Sequence, residues 1–148
     1  MPTPDHRIAV ITGAAQGLGA ALAGRLAAEG YDLALFDRQE EAVKKTAQAI
    51  AAATSRRVLA VAGDITNEAD VGRVFTDALQ TYGQIDTVVA NAAILIAEPL
   101  CEANAEKWRM VLDVNLFGQF LTFKHACRIM KTQRSGSIIQ INSKSGKR

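Results

Sequence analysis

The stretch Ile8-Ala9-Val10-Ile11-Thr12-Gly13-Ala14-Ala15-Gln16-Gly17-Leu18-Gly19 runs from an apolar segment into a glycine loop and on into a helical pattern. That order builds an anion site. Gly13 turns the chain sharply off the strand, Gly17 keeps side chains clear of a pyrophosphate, and Gly19 lets the following helix pack closely on the sheet. The helix then begins with free N–H groups and a partial positive charge toward the anion. Thr12, Gln16 and Leu18 share the loop and join the glycines as candidate cofactor contacts. Three glycines alone are a weak signal. The stronger one is an acidic residue about 20 positions further on, at the end of the next strand, where a carboxylate accepts the ribose hydroxyls of an adenosine. Asp37 stands there, after Leu33-Ala34-Leu35-Phe36. With Glu40 it also has the spacing of a capping box, so helix capping and ribose binding are both open to it.

A 2′-phosphate on that ribose would meet the Asp37 carboxylate at close range, and Ala14, Ala15 and Gln16 supply no compensating cation. The expected cofactor is therefore NAD rather than NADP. Arg38 tempers this, because a guanidinium beside the ribose pairs well with phosphate.

Outward from the loop, apolar strands alternate with helical patterns along all 148 residues, as in an α/β protein with a parallel sheet covered on both faces. Strands are expected at Arg7–Thr12, Asp32–Phe36, Arg57–Ala62, Ile85–Ala90 and Ser137–Asn142. Helices are expected from Gly17 to Glu29, Gln39 to Ala53, Asn67 to Thr81 and Asn104 to Thr132. Asn67 has the place of an N-cap, with Asp70 at its third position. Right-handed crossovers then give one open, doubly wound domain over 1–148 with strand order 3-2-1-4-5.

Hydrophobic residues make up 49% and charged residues 22%, and the net charge is +2 with no basic stripe, which argues against a nucleic-acid partner. No apolar run reaches the ~20 residues of a membrane span, and no signal peptide precedes the first strand. Cys101 and Cys127 have no ligand-spaced neighbours, so free thiols in a cytoplasmic protein, and no metal site, are expected.

Ligands of such sheets lie across the carboxyl ends of the strands. Asp64 there is a candidate acceptor for the adenine amino group, with Ile65 beside it. Asn91, Ala92 and Ala93 suit close approach of backbone to a flat ligand, and Asn91 is equally suited to tying strand ends together. On the last helix Trp108, Leu112, Asn115, Gln119 and Thr122 recur at three- and four-residue steps, placing Asn115 on a face made largely for burial. Asn115 reads either as a satisfied core amide or as the organiser of a hydrogen-bond chain, with Gly118 easing a local distortion. His125 is expected to be exposed or at an interface.

Together these residues resemble the short-chain dehydrogenase/reductase family, whose fold is of the Rossmann type. The TGxxxGxG loop is present as Thr12 to Gly19, the acids as Asp37 and Asp64, and the helix asparagine as Asn115. The NNAG element appears as Ala90-Asn91-Ala92-Ala93, altered at both ends, and the serine as Ser143. The resemblance implies an oxidoreductase that transfers hydride between nicotinamide and an alcohol or carbonyl substrate. It implies that Ser143 hydrogen-bonds the reacting oxygen and that Asn115 holds a relay water through its carbonyl. It further implies a homo-oligomer, dimer or tetramer.

In that family a tyrosine, its pKa lowered from about 10 by a lysine four residues on, transfers the proton. Tyr31 and Tyr82 are followed at that spacing by Leu35 and Asp86, so the pair is absent and the sheet is expected to be incomplete at its carboxyl side, as the cofactor-binding part of a longer enzyme. Ile141-Asn142-Ser143-Lys144-Ser145-Gly146-Lys147 resembles the corresponding segment of sorbitol-6-phosphate dehydrogenases, a branch of the family. That points to a sugar alcohol or its phosphate, with Lys144, Lys147 and Arg148 as candidate phosphate contacts. A binding-only nucleotide sensor and, more remotely, a methyltransferase are the competing readings.

Overall fold

The computed structural model describes residues 6–143, so the basic positions Lys144, Lys147 and Arg148 lie outside the described residues. Five parallel strands form one sheet in the order β3-β2-β1-β4-β5: β1 (Arg7–Thr12), β2 (Tyr31–Asp37), β3 (Val58–Ala62), β4 (Thr87–Ala90) and β5 (Ser137–Gln140). Successive residues of β1 point to opposite faces and each finds a core. Ala9 and Ile11 pack with Leu33, Leu35, Val43 and Ala47 under α1 (Gly17–Ala28) and α2 (Glu40–Thr54). Val10 packs with Phe36, Val71, Val74, Phe75 and Leu121 on the other face, under α3 (Glu68–Tyr82) and α5 (Gly118–Gln133). Each such Val, Leu, Ile or Phe side chain contributes roughly 1.5–3 kcal/mol on burial.

Helix ends follow local chemistry. Asn67 caps α3 by accepting from the N–H groups of Ala69 and Asp70, and Gly83 closes it at φ 84°. Asp70 does not turn back on Asn67. Its carboxylate instead accepts the N–H of Asp64 at 2.9 Å and pairs with Arg73 at 3.2 Å.

The long helix expected from Asn104 to Thr132 is α4 (Ala105–Leu112) running through a π-helical segment, Asp113–Phe117, into α5. Asn115 sits inside the distortion, and Gly118 directly follows it. The expectation that Trp108 and Leu112 share a buried face is corrected: they are 51% and 53% exposed. The cause is that α4 meets no helix or strand among the described residues except the π segment that continues it. His125 departs from expectation too. It is half-buried where α5 meets α3, its ring stacked on Phe75 with centroids 5.8 Å apart and its Cε1 close over Gly72. Burial pushes this imidazole below its ordinary pKa, although Glu68 opposes the shift.

At the amino end of the sheet Asp32 is buried and holds Arg56 and Arg57 at 2.8 Å each. The Tyr82 hydroxyl donates to the Leu33 carbonyl at 2.8 Å, and Tyr31 lies under the Arg7 guanidinium. Both tyrosines thus stand at the end of the sheet away from the glycine loop.

Candidate functional site

A cleft of about 660 Å³ opens at the carboxyl ends of β1 to β4, within the range of small-molecule and cofactor sites. Gly13, Gln16, Gly17, Leu18, Gly19, Asp37, Arg38, Asp64, Ile65, Asn91, Ala92 and Ala93 all line it. Twelve candidates scattered along the sequence are brought together because each lies at a strand end, in the loop after it or in the first turn of the helix that follows.

The glycine loop is held closely. Gly13 adopts φ 66°, and an added Cβ there would come 2.8 Å from the Ala92 Cα. At Gly19 a Cβ would lie 2.0 Å from the Gly13 carbonyl oxygen and 2.7 Å from the Asn91 amide nitrogen, so the first turn of α1 rests directly on the loop. Asn91 completes the clamp, its Nδ2 donating to the carbonyls of Thr12 at 3.0 Å and Gly13 at 3.1 Å. The strand-tying role proposed for Asn91 is therefore what this geometry displays.

Asp37 strapping the loop to β2 was not legible beforehand. Its Oδ2 accepts the N–H of Ala15 and its Oδ1 that of Gln39, both at 3.0 Å. The capping-box reading is corrected: Gln39 is the N-cap of α2, and Glu40 pairs with Lys44 at 2.6 Å instead of reaching back. Each carboxylate oxygen of Asp37 retains a second lone pair for a ligand hydroxyl. At the end of β3 the Asp64 Oδ1 accepts from the N–H and hydroxyl of Thr66, both at 2.8 Å, an Asx turn that fixes the carboxylate beside Ile65.

Three candidates stand outside the cleft lining. Thr12 is buried, its hydroxyl oxygen accepting the N–H groups of Asn91 and Ala92 at 3.0 Å each, which couples β1 to β4 behind the cleft wall. The Asn115 side chain bonds both backbone groups of Ile94, accepting from N–H and donating to C=O at 2.8 Å. It thereby fixes the chain that follows the altered NNAG element. Ser143 lies three residues beyond β5, exposed, its N–H donating to the Asn142 side-chain oxygen at 2.8 Å. Gln119, noted only for its spacing, donates from below to the carbonyls of Ala90 and Ala92.

The missed contribution is one helical face. Glu106, Arg109, Met110, Asp113 and Val114 also line the cleft. Their spacing is that of a single side of a helix, a signal present in the sequence but masked by the apolar Trp108-Leu112 stripe beside it.

The family profile described as short chain dehydrogenase matches residues 7–148. The chain belongs to the short-chain dehydrogenase family. It is 41% identical over 144 residues to the short-chain dehydrogenase/reductase eriH of Hericium erinaceus, covering 94% of this chain and 57% of that one. Among solved structures it resembles levodione reductase, at 34% identity and TM-score 0.91 over 96% of this chain and 56% of that one. It also resembles an alcohol dehydrogenase of the archaeon Thermococcus sibiricus complexed with 5-hydroxy-NADP, at 30% identity and TM-score 0.85, covering 90% of this chain and 57% of that one. This short-chain dehydrogenase sequence thus spans little more than half the length of those relatives.

No helix among the described residues is long and apolar enough to cross a membrane. Among them no group of three or more His, Cys, Asp or Glu forms a metal site, and Cys101 and Cys127 are exposed and unpaired.

Proposed function

We propose that this chain supplies the dinucleotide site of an NAD-dependent oxidoreductase acting on an alcohol or carbonyl substrate. The observation that carries the reading is Asp37, whose carboxylate lines the cleft and is locked to the glycine loop through Ala15. A bound nicotinamide would supply the hydride chemistry. The chain's own residues bind and orient: α1 presents its N-terminus to the pyrophosphate, Asp37 accepts the ribose hydroxyls, and Asp64 accepts from the adenine amino group. Asp37 disfavours a 2′-phosphate, and Arg38 beside it is the counterweight. Ser143 hydrogen-bonds the reacting oxygen, and Asn115 orders the relay water from the π segment. A sugar alcohol or polyol phosphate is the proposed substrate, on the resemblance of the 141–147 segment. The working form is a homo-oligomer, a reading supported by the exposed apolar side chains of α4 and α5.

Calorimetric titration with NADH and NADPH tests the cofactor reading. NADH should bind more tightly, and Asp37→Ala should weaken it by about tenfold or more while narrowing the gap to NADPH. Equal discrimination before and after the substitution would sink the proposal.

A further inference from the structure

The face formed by Glu106, Arg109, Met110, Asp113 and Val114 has a position that can be traced from Gly118. An added Cβ at Gly118 would lie 2.8 Å from the Ile65 Cγ1, so the helix passes directly against the segment that follows β3. From there toward its N-terminus it rises about 1.5 Å per residue. Val114 and Asp113 therefore stand about one turn from Ile65, and Arg109 about one turn further out, all on the wall of the same cleft.

Arg109 has two carboxylates within reach along its own helix, Glu106 three residues before it and Asp113 four after. Comparable spacings close elsewhere in the chain: Arg25 with Glu29 at 2.5 Å, Lys44 with Glu40 at 2.6 Å, and Arg73 with Asp70 at 3.2 Å. Arg109 closes with neither neighbour. Among the described residues no ion pair or side-chain hydrogen bond engages its guanidinium, and Arg109 is one of the residues that line the cleft.

Resting on the reading of the cleft as a dinucleotide site, we infer that Arg109 is a specificity-determining contact whose guanidinium stacks on the face of the adenine. Ile65, Met110 and Val114 supply apolar surface for a flat ring, and Asp64 marks the edge where its amino group donates. A planar, delocalised guanidinium is weakly hydrated and stacks on aromatic faces. The same wall disfavours a phosphate. Glu106 and Asp113 flank the one cation with two negative charges, whereas the pyrophosphate has the N-terminus of α1 across the cleft.

The test is calorimetric binding of NADH, AMP and nicotinamide mononucleotide to the unaltered chain and to Arg109→Ala. Alanine preserves an exposed helical position, and an unchanged urea midpoint verifies that it does so here. NADH and AMP should weaken by a common factor of about threefold to thirtyfold, and nicotinamide mononucleotide should not change. Unchanged AMP binding, or equal losses for AMP and nicotinamide mononucleotide, overturns the assignment to adenine while leaving the dinucleotide reading standing. An unaltered chain that binds neither NADH nor AMP overturns both.

Discussion

Up to Ala90 the chain supplies the whole buried apolar core apart from Leu121 and Ala126, whereas after Ala90 it carries every exposed large apolar side chain among the described residues except Leu18. The contrast has a structural cause. In the first region α1, α2 and α3 each lay an apolar face on the central strands β1 and β2, which are covered on both sides. In the second, α4 projects past the strands, and among the described residues β5 pairs only with β4. The rings of Phe117 and Phe120 stack on each other at the surface, 6.0 Å between centroids. Charges do not follow that division: Asp32, Glu40 and Asp70 are paired before Ala90 and Lys107 with Glu98 after it, while Asp37, Arg38 and Asp64 before it and Glu106, Arg109 and Asp113 after it line the cleft without ion-pair partners among the described residues. The early region thus holds the packed core together with the glycine loop, Asp37 and Asp64 of the cleft, and the later one adds the helical wall of that cleft and an exposed apolar surface.

A matched pair of truncations tests this division most directly. Phe75→Ala empties a fully buried site and should cost about 3–5 kcal/mol in urea unfolding. Phe120→Ala, at a ring that is 54% exposed, should stay within about 0.5 kcal/mol. Comparable losses at the two sites would break the comparison.

Asp32→Asn should come next, at about 1.5–3 kcal/mol, because it removes a buried carboxylate that accepts from Arg56 and Arg57. Burial raises the pKa of Asp32, but the hydrogen bonds and charges of Arg57 and Arg56 outweigh it and hold the pKa below its ordinary value. Its stabilisation is therefore present above the unfolded-state pKa of about 3.9 and is lost as pH falls through the lower native value. Urea midpoints of the Asn variant should lack that acid limb.

A smaller effect belongs to His125 at the seam between the two regions. With its pKa lowered in the native state, its contribution is present above about pH 6.5 and declines as the pH falls toward the native value. Lys124 and Arg128 add to the lowering, and Glu68 opposes it. His125→Phe should flatten the loss of stability between pH 7.5 and 5.5. An unchanged slope would remove His125 from the account. The smallest effect on stability, that of Phe120→Ala, should accompany reduced self-association in sedimentation velocity, and unaltered association would place the sticky surface elsewhere.

Much of this was legible in the residues alone. The glycine loop, the acid after strand two and the alternation of strand and helix patterns led to the 3-2-1-4-5 sheet, because strand handedness leaves few ways to connect parallel strands. The ends of β1 and α3 were readable because Gly13, Asn67 and Gly83 act on their immediate neighbours. Local periodicity says which side of an element is apolar, but it does not say what lies against that side.

Trp108 and Leu112 have the spacing of core residues and meet no strand among the described residues, since α4 overshoots the sheet. Thr12 sits in the loop motif, yet its hydroxyl faces β4, whose proximity is set by a pairing that spans most of the chain. Asp37 has the spacing of a cap and serves instead as a strap to Ala15. In each case the composition of the element was local information, while the partner of its side chains was a long-range fact that only the packed sheet and helices decided.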